Sequence, residues 1–385
     1  MTKSIYDIIS KDKGIKERNA LSSYIIEHDL PLEFISTNVI SLNLLFGGRV
    51  NGGIPKGKIS MISAPSMLGK SFVGLSILKS AQKLGMNTII IDTERSFSFK
   101  LAKGLGIDTS REKLAVLQEN SIEDVKSIIM TICDNLTIEE RRNTFFLLDS
   151  WGTLVTSKTI KDALTGNDVS DMTESKKKNA LANILLNTQA SFFVINHVYD
   201  NTGGFGDPLK IPGGRRIIFN SDSIVLGTSR AKEKNKTTNS VDGHIISAMT
   251  YKSRNSKELS KLQFRIKNSG GLDVFYGILD DAIEGGYIQK TTKGRSTAYI
   301  RPHIEGDEPM LEKHIYNSAF WSPVFKDTDI KKYLESKYTF ENKFDITESE
   351  KDMDEVMLDR ISDTIEKDVE KDVEKPKTNK KTEKK

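Results

Sequence analysis

A chain of 385 residues, 37% hydrophobic and 29% charged, has room for one large α/β domain with appendages or for two domains, and can bury a sizeable core. No apolar run approaches the roughly 20 residues that span a bilayer. Residues 1–18 are charged and lack an apolar signal region, so the expected setting is cytoplasmic, with no membrane partner. Cys133 is the one cysteine, which excludes an internal disulfide or a cysteine metal cluster; its apolar-periodic surroundings suggest a buried thiol. The net charge of +4 names no polyanionic partner by itself.

In chain order, residues 1–30 read as a short helical arm, with Ile5, Ile8 and Ile9, then Leu21, Tyr24 and Ile25, at helical spacing. Residues 58–63 (KISMIS) alternate polar and apolar, as a strand entering a sheet does. Ala64, Pro65, Ser66, Met67, Leu68, Gly69, Lys70 and Ser71 then match the phosphate-loop pattern G-x-x-x-x-G-K-[ST] except that Ala64 replaces the first glycine. Residues 70–80 carry a helical period. Residues 88–92 (TIIID), 144–148 (TFFLL) and 191–195 (SFFVI) read as fully buried strands. Ser121 opens a helix with a capping-box-like signature. Residues 223–226 and 245–251 suggest two more strands. Two stretches, 156–172 and the glycine-rich 198–216, resist regular structure and read as long functional loops. Beyond residue 339 the chain turns acidic and then, from Pro376, lysine-rich, as a solvated, disordered tail does.

Strands alternating with helices predict a doubly wound, mostly parallel α/β sheet, whose ligands collect at the carboxyl ends of its strands. Four groups fall at such ends: the phosphate loop, Glu94, Asp149 and His197. In a phosphate loop, successive backbone N–H groups and a helix N-terminus hold phosphate oxygens. Lys70 would reach the β- and γ-phosphates, and the Ser71 hydroxyl, with Asp149 behind it, would hold Mg²⁺. Glu94 is a candidate general base for water attacking the γ-phosphate. His197 could touch that phosphate and relay its presence into the glycine-rich loop. Lys252 and Arg254, past a strand, could serve a nucleotide on a neighbouring subunit.

These residues together resemble the RecA-like recombinase family, and within it the recombinases of T-even bacteriophages. The matching stretches are residues 64–71, 91–94, 148–150, 169–173, 195–197, 251–254 and 320–325, so the likeness runs from about residue 30 to residue 325. The resemblance implies a RecA-like P-loop ATPase core and an ATP-dependent helical filament on single-stranded DNA that pairs it with homologous duplex. Single-strand-binding and loader proteins are further candidate partners, and a phage-encoded chain would act in the host cytoplasm. It implies that Glu94 is catalytic, that His197 senses the γ-phosphate, and that Lys252 and Arg254 reach ATP in trans. Residues 156–172 and 198–216 would be the two DNA-binding loops. Lys176, near the first loop, is a further DNA candidate. In the second, Phe205 is suited to stacking on bases, Lys210, Arg215 and Arg216 to phosphates, and Gly213 and Gly214 to close backbone approach. The implied layout is an arm (1–30), a core (31–290), a small C-terminal region (291–339) and a tail (340–385). Adenine stacking stays open among Phe97, Phe99 and Leu101. A RecA-core ring helicase and a nucleotide-gated DNA-coating protein are the competing readings. Glu94 speaks against the second, since gating needs no water-activating carboxylate.

Overall fold

The computed structural model describes residues 32–166, 171–200, 209–234, 240–269 and 271–339; the expected arm, the charged tail and Phe205 lie outside them. A nine-stranded sheet organises the chain. Its strands are β1 (Ile59–Ser63), β2 (Asn87–Asp92), β3 (Leu114–Leu117), β4 (Thr144–Asp149), β5 (Ser191–Asn196), β6 (Ser223–Lys234), β7 (Val241–Ser253), β8 (Lys261–Lys267) and β9 (Gly271–Leu272). They lie in the order β9-β8-β7-β6-β1-β5-β4-β2-β3. From β6 to β3 every pairing is parallel, whereas β6 to β9 pair antiparallel.

The parallel strands are apolar on both faces because both faces are covered. Ile62, Ile90, Phe145, Leu147, Phe193, Ile195 and Val225 point to one side, against α1 (Ile40–Gly47) and α2 (Lys70–Lys83). Met61, Ile89, Ile91, Phe146, Leu148, Phe192, Val194 and Ile224 point to the other. There they meet α3 (Ile122–Asp134), α5 (Glu174–Thr188) and α6 (Arg215–Asn220), while α4 (Ser157–Leu164) precedes α5 in the chain. Phe146 and Phe192, register partners on adjacent strands, stack at 4.8 Å. Each fully buried side chain of this size contributes roughly 1.5–3 kcal/mol. Within the KISMIS segment Lys58 is exposed, but the strand Ile59–Ser63 is buried throughout despite its alternation, and its Ser60 hydroxyl bonds the Ser223 hydroxyl.

Two expectations are corrected. The stretch 156–172 contains α4, started by Thr156, whose hydroxyl accepts from the Thr159 amide. No α4 residue is buried, and its one apolar stripe is short, with Ile160 and Leu164 four residues apart. The stretch 198–216 holds a short ladder, Tyr199–Asp200 with Leu209–Lys210, and the start of α6. Strands β6 and β7 also run to 12 and 13 residues, well past the expected 223–226 and 245–251. The outer half of β6 is polar and exposed, held by its pairing to β7, whereas β7 keeps Ile246 in the core.

After β9 a three-stranded sheet (Gln289–Lys293, Ser296–Ile300, Met310–Leu311) leads to helices Ser318–Asp327 and Ile330–Tyr338. Trp321, Val324, Leu334 and Tyr338 join the same apolar cluster as α1, so this region is packed onto the core. No helix among the described residues is long and apolar enough to cross a membrane.

Candidate functional site

The sheet register gathers the site on one edge. Asp92 pairs with Asp149, Asp149 with Ile195, and Ser63 with Asn196. The loop after β1, the turn after β2 and the ends of β4 and β5 therefore open side by side.

The phosphate loop joins β1 directly to α2, whose first residue is Lys70. Met67 (φ 65°) and Gly69 (φ 75°) take left-handed backbone, while Ala64 does not. The methyl of Ala64 is accommodated by the neighbouring strand: a Cβ placed on Gly227 of β6 would lie 2.8 Å from the Ala64 Cβ. Lys70 Nζ donates to the carbonyls of Ala64 and Pro65, both at 2.9 Å. Burial holds its pKa below the usual lysine value, against the opposing pull of Asp149 and Glu94. Arg230 of β6 braces the loop crown, its Nη1 donating to Met67 O at 2.9 Å.

Ser71 Oγ donates to Asp149 Oδ2 at 2.8 Å. Burial pushes Asp149 up to about 6; the Ser71 hydrogen bond opposes this, and the nearby Glu94 and Asp92 charges add to it. A hydroxyl and a carboxylate oxygen so placed beside a phosphate loop fit Mg²⁺, a hard cation that keeps waters and takes few protein ligands.

Glu94 sits in the turn after β2. That turn is shaped by Asp92, whose carboxylate accepts from the amides of Ser96 (3.1 Å) and Phe97 (3.0 Å). Thr93 ties it to the end of β4: its amide donates to Asp149 O, its hydroxyl to Ser150 O, and the Ser150 amide donates back to that hydroxyl. The Asp149–Ser150 peptide is cis. Glu94 Oε1 accepts from Ser150 Oγ at 2.6 Å and lies 3.1 Å from His197 Nε2. Burial raises its pKa, but the bonds from Ser150 and His197 and the His197 and Lys70 charges outweigh this, so Glu94 is an ionised carboxylate at neutral pH.

From His197 a chain of contacts leads to the second loop. The His197 amide donates to Asn196 Oδ1 (2.9 Å), and Asn196 Nδ2 donates to Pro212 O (3.0 Å). Trp151, fully buried next to Ser150, donates from Nε1 to Gly213 O at 2.8 Å. Gly213 (φ 95°) lies so close to the Trp151 ring that no side chain fits there. Lys210, Arg215 and Arg216 are exposed, and so is Lys176. The roles of Ser150, Asn196 and Trp151 escaped sequence reasoning; the available signal was that each stands at or just past the end of a buried strand.

Lys252 and Arg254 lie elsewhere. Ile224 of β6 pairs with both Lys252 and Met61, so these cations sit toward the amino ends of the parallel strands. The phosphate loop starts three residues beyond Met61, about 10 Å along the strand at ~3.3 Å per residue. Lys252 Nζ donates to the carbonyls of Ile218 (2.9 Å), Phe219 (2.8 Å) and Ser221 (2.7 Å), capping the C-terminal end of α6. Burial, then Arg254, holds its pKa down. Arg254 is exposed.

A phosphate loop on the central strand of a mostly parallel sheet, with Asp149 at the end of β4 and Glu94 just past β2 on the same edge, defines a P-loop ATPase. The family model for the RecA N-terminal domain matches residues 9–273, and the chain belongs to the RecA family. It is 25% identical over 321 residues to the recombination and repair protein of Enterobacteria phage T4, covering 80% of this chain and 79% of that one. It is 29% identical to the RecA protein of Clostridium novyi (69% and 73% covered) and 26% identical to that of Thermus aquaticus (68% and 74%). RecA-family proteins are homologous-recombination strand-exchange proteins and DNA-dependent ATPases that bind ATP and form filaments on DNA.

Proposed function

We propose that hydrolysis in this strand-exchange ATPase is run by Lys70, Ser71, Glu94, Asp149 and His197, and that Lys252 and Arg254 complete the site from a neighbouring copy. The observation that carries the reading is the Ser150–Glu94–His197 cluster at the same sheet edge as the phosphate loop. Backbone amides of residues 66–71 and the Lys70 ammonium hold the phosphates of ATP. Glu94, ionised and fixed by two donors, orients a water and takes its proton as oxygen attacks the γ-phosphorus and the bond from that phosphorus to the β,γ-bridging oxygen breaks, the diphosphate leaving. Ser71 and Asp149 would hold Mg²⁺, which supplies charge neutralisation at the phosphates.

Lys252 and Arg254 lie about three strand residues behind their own phosphate loop and serve the nucleotide of the next subunit. Such a head-to-tail contact does not close on itself unless the rotation does, which suits an open helical filament. The route from His197 through Asn196 to Pro212 gives the nucleotide a physical handle on the second DNA loop, whose Lys210, Arg215 and Arg216 meet phosphates. Single-stranded and duplex DNA, further copies of this chain, and single-strand-binding and loader proteins are the partners of this reading. The division into arm, core (31–290), C-terminal region (291–339) and tail belongs to it too.

The test is ATP hydrolysis with and without single-stranded DNA at two protein concentrations. Strong DNA stimulation that rises cooperatively with protein is expected. DNA-independent hydrolysis at low protein would mean a self-contained site and overturn the reading.

A further inference from the structure

Residues 176–178 are three consecutive lysines, and the structure gives each a different environment. Lys178 is buried and paired with Glu174 at 2.9 Å. Lys176 is exposed. Lys177 is half-exposed and joins two carboxylates, Glu123 Oε1 at 2.7 Å and Asp171 Oδ2 at 3.5 Å.

Those two carboxylates hold the two ends of the first DNA loop. At the entrance, Glu123 Oε2 accepts from the Ser157 amide (2.9 Å) and the Ser157 hydroxyl (3.1 Å), and Ser157 Oγ also meets Ser121 Oγ at 2.8 Å. At the exit, Asp171 Oδ1 accepts from the Thr173 amide and hydroxyl, both at 2.8 Å. Asp171 Oδ2 closes the circle by accepting from Thr156 Oγ1 at 2.7 Å. Glu123 belongs to α3, Thr156 and Ser157 to the entrance of the loop, and Lys177 to α5. Three segments distant in sequence therefore converge on one ammonium. The stem stays charged well below neutrality: Glu123 lies at about 2, since hydrogen bonds from Lys177 and Ser157 outweigh its burial.

We propose that Lys177, with Glu123 and Asp171, is the positioning device of the first DNA loop: it pins residues 156 and 171 together, so that α4 and Lys176 meet DNA from a fixed base. The proposal rests on the reading of residues 156–172 as a DNA-binding loop. The physical reason is preorganisation, since a loop whose ends are already joined loses less conformational freedom on binding. Without Lys177 two carboxylates face each other across the stem with no cation between them, and their repulsion parts it. The two lysines have distinct jobs: Lys176 faces outward to a phosphate, whereas Lys177 is engaged by the two carboxylates of the stem.

Salt dependence of binding separates those jobs. Binding to an oligothymidylate strand is measured over a range of salt for Lys177→Met, Lys177→Arg, Asp171→Asn and Lys176→Ala, with nucleotide affinity and thermal melting as fold controls. Lys177→Met and Asp171→Asn should weaken binding on the order of tenfold, within the range of local coupling energies. Their salt slope and nucleotide affinity should stay unchanged, and Lys177→Arg should restore most of the loss. Lys176→Ala should flatten the slope by about 0.7, one phosphate contact on a single strand. If Lys177→Met itself flattens the slope, Lys177 touches DNA and the positioning role is wrong. If Lys176→Ala weakens binding and Lys177→Met does not, the stem proposal fails while the loop reading stands. If neither matters, the loop does not meet DNA and both fall.

Discussion

The alanine at the head of the phosphate loop makes a quantitative demand on a strand far away in sequence. The Ala64 methyl fills space left by Gly227, where an added Cβ would sit 2.8 Å away and also 3.4 Å from Leu68 Cδ2. Two methyl carbons need about 3.5–4.0 Å, so Gly227→Ala forces β6 and the loop entrance apart by roughly 1 Å. Overpacking of this kind costs about 1–3 kcal/mol. A displacement near 1 Å at a positioning element also costs on the order of 10²-fold in rate. Ala64→Gly alone should cost only about 0.4–1 kcal/mol, through the freer unfolded chain. The double variant should recover most of the Gly227→Ala loss, with a favourable coupling of roughly 1–2 kcal/mol. Urea melts report the stability and DNA-stimulated ATP hydrolysis the geometry. Simple additivity of the two substitutions, or an innocuous Gly227→Ala, would refute the idea that the two positions share one space.

Glu94→Gln should bind ATP and DNA but hydrolyse on the order of 10²-fold more slowly; loss of ATP binding instead would assign Glu94 to nucleotide contact. Asp149 is held at about 6, above its usual 3.8, mainly by burial. An acid raised in this way binds more protons folded than unfolded between those values, so its contribution to stability falls as pH rises from about 4 to about 6. Without nucleotide or Mg²⁺, Asp149→Asn should therefore melt above wild type at pH 8 and converge with it near pH 4; a pH-independent gap would contradict the burial argument. Lys252→Met and Arg254→Ala should both lose DNA-stimulated hydrolysis, but only Lys252→Met should speed amide exchange at the end of α6. Equal exchange in the two variants would mean that the Lys252 cap does not hold that helix.

What the sequence by itself determined is local. A phosphate loop is recognisable because its chemistry lies in consecutive backbone amides and one lysine, and its strand and helix flank it directly. Buried parallel strands are legible as TIIID, TFFLL and SFFVI because both faces must be apolar, and the polar group that ends each run (Asp92, Asp149, Asn196) marks the sheet edge where ligands gather. The polar outer half of β6 and the short α4 were not legible, since strand pairing holds the one and the other spans only eight residues opened by a threonine cap. Only the tertiary structure decided which distant groups meet. Gly227 makes room for Ala64, Ser150 and His197 share one oxygen of Glu94, Lys252 closes α6, and Lys177 rather than its neighbours joins the stem of a loop. Such pairings depend on strand order and on register, where a shift of one residue turns a side chain to the other face. Those are properties of the assembled sheet, which no local stretch of the chain encodes.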